Sequence, residues 1–193
     1  MENEVSEKST LDLADVLKAN PYTVPPLLEY HDRLLRHPGS PFTIAERELI
    51  AAYVSGLNQC QFCFGAHKII AATFDFTEEQ VELLFTDIDK SGVEKRLLPV
   101  LSFVKKLTLT PSKVVDADRE AIIDADWPQQ AIFDAASICG LFNLMNRIVE
   151  GTGVKSSAAI QQAQRDRHQR TASDEINLNS YQDYGRKIGV LPE

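Results

Sequence analysis

Several things are scarce in this chain, and each scarcity excludes a class of protein. Three cysteines in 193 residues cannot make a disulfide scaffold, because small extracellular folds held by bridges need more of them. Basic residues are the minority: 20 Lys and Arg against 28 Asp and Glu leave a net charge of −8. No segment concentrates them, so nucleic acid is not an expected partner. The first residues, Met1-Glu-Asn-Glu-Val-Ser-Glu-Lys-Ser9, are acidic and hold no apolar core, unlike a secretory or transit peptide. The longest stretch free of charge, Leu49 to Ala66, is interrupted by Ser55, Gly56, Asn58, Gln59 and Gln61, so no membrane span is expected. A soluble, cytoplasmic protein follows as the expectation. With 44% hydrophobic and 25% charged residues the composition suits one compact domain, and the thiols are left as core fillers, metal ligands or redox groups.

Alternating strand patterns are also missing, and the apolar spacing is helical. Leu27, Leu28, His31, Leu34 and Leu35 recur at three- and four-residue steps, as do Ile44, Leu49, Tyr53, Val54 and Leu57. Thr43-Ile-Ala-Glu46, Thr77-Glu-Glu-Gln80 and Ser91-Gly-Val-Glu94 have the form of capping boxes and predict three helix starts. Pro111 is expected to end a helix through Leu107. Asp126-Trp-Pro128 separates a short helix near 116–125 from a longer one near 129–150, which Gly151 and Gly153 close. The expected organisation is a partly flexible segment 1–19, a helical domain 20–153, and a polar extension 154–193 that packs on the core or on a neighbouring subunit.

The chemistry gathers around Cys60-Gln-Phe-Cys63, followed by His67 and preceded by Glu48. On a helix starting near Cys60, positions 60, 63 and 67 share one face. Gly56 to Gln59 reads as a tight break between two apolar runs, so helices 44–56 and 60–74 are expected to form an antiparallel hairpin. Glu48 and His67 lie almost equally far from that turn and should meet, directly or through one water. A free thiol has a pKa of about 8.5, and a helix start with a nearby base favours the thiolate. Cys63, four residues before His67, is the better-placed nucleophile toward a peroxide oxygen. Glu48 would orient His67 and relay the proton, and Cys60 would resolve the sulfenic acid to a disulfide that an external dithiol reduces.

The same residues carry a family resemblance. Glu48, eleven residues, Cys60-x-x-Cys63, three residues, His67 resembles the signature of the carboxymuconolactone decarboxylase-like superfamily, in its AhpD-like alkylhydroperoxidase branch. The text from Glu46 to His67 is similar to that branch's peroxidase-related group, and weaker similarity runs through Pro111, Trp127 and Phe142-Asn-Leu-Met-Asn-Arg147. The resemblance implies an all-α, AhpD-like bundle built around the CxxC hairpin, oligomeric assembly, and thiol peroxidase or disulfide reductase activity. Position by position it implies Cys63 as peroxidatic cysteine, Cys60 as resolving cysteine, and Glu48 with His67 as proton relay. A hydroperoxide substrate and a dithiol donor, such as a lipoyl domain or a thioredoxin-like protein, follow, with no metal or other cofactor. One position departs: the AhpD pattern has a histidine immediately before the second cysteine, where this chain has Phe62.

Three other readings of the site stand beside this one. They are a disulfide reductase or redox sensor with little peroxide turnover, a decarboxylase-like lyase, and a helical binding module in which the thiols hold a metal. Elsewhere, Cys139 and His31 read as core residues and His168 as solvated. Asn143, Asn146 and Arg147 read as capping or intersubunit hydrogen-bonding groups, and Trp127 as a packing anchor.

Overall fold

A computed structural model describes residues 11–171 and 177–193, without the side chains of residues 167–171. The reading of His168 and the first ten residues of the expected flexible segment lie outside the described residues. Ten α-helices follow in chain order, and no strand occurs among the described residues. They are α1 (Leu13–Lys18), α2 (Val24–Leu35), α3 (Ile44–Leu57), α4 (Gln61–Phe74), α5 (Glu78–Thr86), α6 (Leu98–Leu109), α7 (Asp116–Asp124), α8 (Gln129–Thr152), α9 (Ala158–Thr171) and α10 (Ser180–Lys187). The fold is the all-α bundle that the sequence predicts.

Helix α3 is its axis. Every residue from Ala45 to Ser55 is buried, because α4 covers one side while α8, α6 and α2 pack around the rest. A helix that is apolar around most of its circumference is stable only in such a place. Its start is fixed by a reciprocal cap: Thr43 Oγ1 accepts the Glu46 N–H at 3.1 Å, and Glu46 Oε2 accepts the Thr43 N–H at 2.8 Å. Thr77 and Gln80 repeat that arrangement at the start of α5. The third expected box does not form. Ser91 instead closes a short 3-10 turn by donating to Ile88 O at 2.6 Å, and the next α-helix begins only at Leu98, where Pro99 suits its first turn.

The α3–α4 hairpin forms as expected, but Gly56 is not its turn. Gly56 remains helical, and its missing Cβ leaves room for the Phe85 ring, which a methyl group would approach to 2.3 Å. The reversal falls on Gln59, at φ +59°, after which Cys60 N–H donates to Ser55 O at 3.0 Å. A non-glycine residue in this left-handed region costs about 1 kcal/mol, and here it delivers Cys60 to the N-cap of α4. Helix α8 is long and apolar enough by composition to cross a membrane. Its apolar side is instead core, with Ala135, Ile138, Phe142 and Val149 buried, and Gly153 caps it at φ +82°.

Both helices of the extension lie against the domain. Arg165 of α9 grips Glu78 with two hydrogen bonds of 2.8 Å, and Lys68 of α4 pairs with the same carboxylate at 3.2 Å. Helix α10 packs on α2, where Tyr181, Tyr184, Ile188 and Leu191 join Leu17, Val24 and Leu28 in a small apolar cluster. The first and last described helices are thereby held together, since Leu17 belongs to α1.

Candidate active site

Glu48 is fully buried on the central helix, where a lone carboxylate would be untenable. Both of its oxygens are matched. Oε1 accepts from Arg36 Nη1, and Oε2 meets His67 Nδ1 at 2.6 Å across the hairpin. The direct form of the expected Glu48–His67 contact is therefore the one found. Burial works against the charge, but the Arg36 guanidinium and then His67 outweigh it and hold the carboxyl down at about 2. Glu48 is a carboxylate at neutral pH and accepts only, so His67 Nδ1 carries the hydrogen of this contact. The contact places Glu48 to orient the His67 ring.

Arg36 carried no signal in the sequence. It follows α2 as its C-cap and is 6% exposed. Burial disfavours its charge, but Glu48 more than compensates and pushes its pKa upward. The guanidinium is framed from the extension: Nε donates to Ser180 Oγ at 3.2 Å, and the Tyr181 ring lies 5.2 Å away. Tyr181 also stacks at 4.7 Å on His31. Its enclosed hydroxyl makes no well-formed hydrogen bond, and burial, with Glu48 nearby, drives its pKa up. His31 is a core residue as expected. Its Nδ1 donates to Leu27 O at 2.8 Å, and burial lowers its pKa to about 4. The edges of His31 and His67 both meet Phe142 of α8, the latter at 4.4 Å between ring centres.

Cys60 and Cys63 sit at the N-cap and on the first turn of α4, with Cys63 one turn before His67. Both are reduced and buried, in an apolar cluster with Val16 of α1 and Val149 and Val154, flanked by Leu13, Phe62 and Ile148. Phe62 thus adds apolar surface where the AhpD pattern has a histidine. The thiols differ in acidity. Hydrogen bonding from Cys63 lowers the Cys60 thiol, while Cys63 is raised by Cys60 and by burial. Asn146 of α8 counters part of that rise at Cys63, and the Glu150 carboxylate raises both thiols. Asn146 is a second residue the sequence reading did not bring to the site. It accepts from Asn58 at 2.9 Å and donates to Ser55 Oγ at 3.1 Å, and Asn58 also donates to Asn143 Oδ1 at 3.2 Å. These amides pin the hairpin turn to α8 within one chain.

Outside the site, Cys139 is core, 3.2 Å from Thr108 Oγ1. Trp127 packs on Phe42 at 4.6 Å and donates to Arg96 O at 2.7 Å. Two grooves, of about 460 and 250 Å³, are lined by Leu98, Phe103 and Asp118 and by Tyr30, His37 and Asp134 respectively, and neither includes a thiol or His67.

No family model matches the chain, and no curated protein does. Solved structures do. An alkylhydroperoxidase AhpD core from Ralstonia eutropha JMP134, described as an uncharacterized peroxidase-related protein, is 26% identical with a TM-score of 0.69. That match covers 76% of this chain and 77% of the other. The fold is AhpD-like. An uncharacterized peroxidase-related protein from Silicibacter sp. TM1040 is similar at 25% identity and a TM-score of 0.66, over 72% of each chain. In fold the chain is therefore similar to peroxidase-related proteins, as the resemblance of its Glu46 to His67 segment implied.

Proposed function

We propose that the protein is a thiol-dependent hydroperoxide reductase with Cys60 and Cys63 as its redox pair. The observation that carries this reading is two adjacent thiols at the start of α4, one turn before an imidazole whose Nδ1 hydrogen is committed to a buried carboxylate. That leaves Nε2 ready to act as a base. In the first step His67 takes the Cys63 proton and the thiolate attacks a hydroperoxide oxygen. The O–O bond breaks, Cys63 becomes a sulfenic acid, and the departing alkoxide leaves as alcohol with the proton His67 held. Cys60 then displaces the sulfenic oxygen, the disulfide forms, and water leaves with the Cys60 proton. An external dithiol reduces the disulfide through a mixed disulfide and ends oxidised itself. No step draws on a metal, haem or flavin. Glu48 and Arg36 act through His67 by fixing its tautomer.

The dithiol donor is proposed to be a small lipoyl-type dithiol or a thioredoxin-like domain, in a cytoplasmic setting. A homo-oligomer is proposed because Phe133 and Leu144 of α8 are exposed, at 66% and 49%. The position of Cys60 at the N-cap of α4, where the helix dipole favours a thiolate, supports a second assignment in which Cys60 attacks and Cys63 resolves. Metal binding is disfavoured because both Glu48 oxygens are already occupied.

Stopped-flow oxidation by an alkyl hydroperoxide tests the function. The expected second-order rate exceeds that of a free thiol by at least about a hundredfold, and a rate no better than a free thiol overturns the peroxidase reading in favour of a disulfide reductase, a sensor or a decarboxylase-like lyase. Dimedone capture of the sulfenic acid in Cys60→Ser and Cys63→Ser then identifies the attacking sulfur.

A further inference from the structure

The catalytic reading involves α2, α3 and α4, yet the inner wall of that cluster comes from the far end of the chain. Helix α10 has no side-chain cap of its own at Asn179. Its first turn is capped in trans by Asp32 of α2, whose carboxylate accepts the Tyr181 N–H at 2.8 Å and the Gln182 N–H at 2.9 Å. Asp32 is 3% exposed, and a buried carboxylate so placed is matched to a helix start by both hydrogen bonds and dipole. This docking sets Ser180 Oγ on Arg36 Nε and lays the Tyr181 ring between the Arg36 guanidinium and the His31 imidazole. Gly185, one turn later, allows close contact, since a Cβ there would come within 2.5 Å of Leu28 Cδ1.

We propose that α10 is an integral strap of the redox site, with Tyr181 and Asp32 as positioning residues that hold Arg36 on Glu48 and keep the Glu48–His67 contact dry. The proposal rests on the reading of His67 as the base of the thiol pair. Glu48 of α3 bonds that imidazole directly, His31 of α2 lies close enough to interact with its charge, and Arg36 and Tyr181 reach it through Glu48. Loosening the strap moves the Arg36 cation away from Glu48 and admits water. Both changes favour the imidazolium, so they act in one direction.

The test is the titration of His67, read by NMR of the full-length protein labelled at histidine, beside the pH profile of thiol alkylation by iodoacetamide. Tyr181→Ala is expected to raise the His67 midpoint by about half a pH unit or more and to move the rise in alkylation to higher pH by the same amount. Tyr181→Phe keeps the ring and should restore the wild-type curves. Gly185→Val crowds Leu28 and Leu191 and loosens α10 without removing any charge near His67, and should shift the midpoint the same way even where Tyr181→Ala does not fold. Titrations and profiles of Tyr181→Ala and Gly185→Val that overlay the wild type would overturn the proposal. Neither readout needs peroxide turnover, so a shifted His67 midpoint in a protein inert to peroxide sinks the peroxidase reading and leaves the strap standing.

Discussion

Removing the guanidinium from the buried triad tests the electrostatic argument most directly. Arg36→Met keeps most of the side-chain volume but leaves Glu48 with only His67. In the wild type the carboxyl is held at about 2 against an ordinary 4.5. That net difference, burial set against Arg36 and His67 together, corresponds to about 3 kcal/mol at roughly 1.4 kcal/mol per pH unit, and removal of Arg36 alone is expected near the low end of the ~3–5 kcal/mol of breaking one partner out of a buried ion pair. The sign follows from linkage. A depressed carboxyl pKa contributes stability that is full above about pH 5 and lost as the pH falls toward 2, where the folded group also takes its proton. Urea denaturation of Arg36→Met should therefore show a loss of about 3 kcal/mol at pH 7 and about half of that at pH 3. Adding Glu48→Gln should recover part of the loss, because no charge is then left buried alone. A deficit equal at both pH values, or below about 1 kcal/mol at pH 7, would mean that Arg36 acts through packing and that the charge argument is wrong.

Three further outcomes are expected. His31 is held neutral near a pKa of about 4, so the unfolded chain binds its proton first and stability drains as the pH falls from about 6.5 to 4. His31→Gln should flatten that segment of the stability curve, as followed by thermal melts. Val16→Ala trims the α1 surface over the thiols by about 1 kcal/mol. It should raise the rate of reaction with a bulky disulfide reagent about fivefold through more frequent opening, whereas an unchanged rate would place the route to sulfur elsewhere. Glu150→Gln removes an anion that raises both thiols, and should speed iodoacetamide alkylation at pH 7 by about two- to fivefold.

The hairpin was legible because its evidence is local. An uncharged apolar run, a polar break and a cap at Thr43 each act within a few residues, and the Glu48–His67 pairing follows from counting outward from one turn. Gly56 misled because glycine serves two purposes: here it admits Phe85, and Gln59 takes the strained backbone. Ser91 and Glu94 have capping-box spacing, but Gly92 at φ +70° turns the chain away before a helix can start. Arg36, Asn146, Asp32 and Tyr181 were out of reach for a different reason. Tyr181 lies 149 residues from Asp32, and such contacts are fixed by how helices stack, which leaves no period in the sequence. The extension's polarity also concealed that Tyr181, Tyr184, Ile188 and Leu191 form one apolar side.

The burial of the thiol pair has a kinetic corollary. Cys60 is 0% and Cys63 5% exposed beneath Val16, Val149 and Val154, so oxidant must wait for the sulfur to become reachable. If the protein reduces hydroperoxides as proposed, the observed rate should rise in proportion to peroxide at low concentration and level off at high concentration at the frequency of uncovering, a ceiling common to every peroxide small enough to enter. Saturation in this protein would then measure a motion of the polypeptide, and an apparent half-saturation constant would carry no information about substrate affinity.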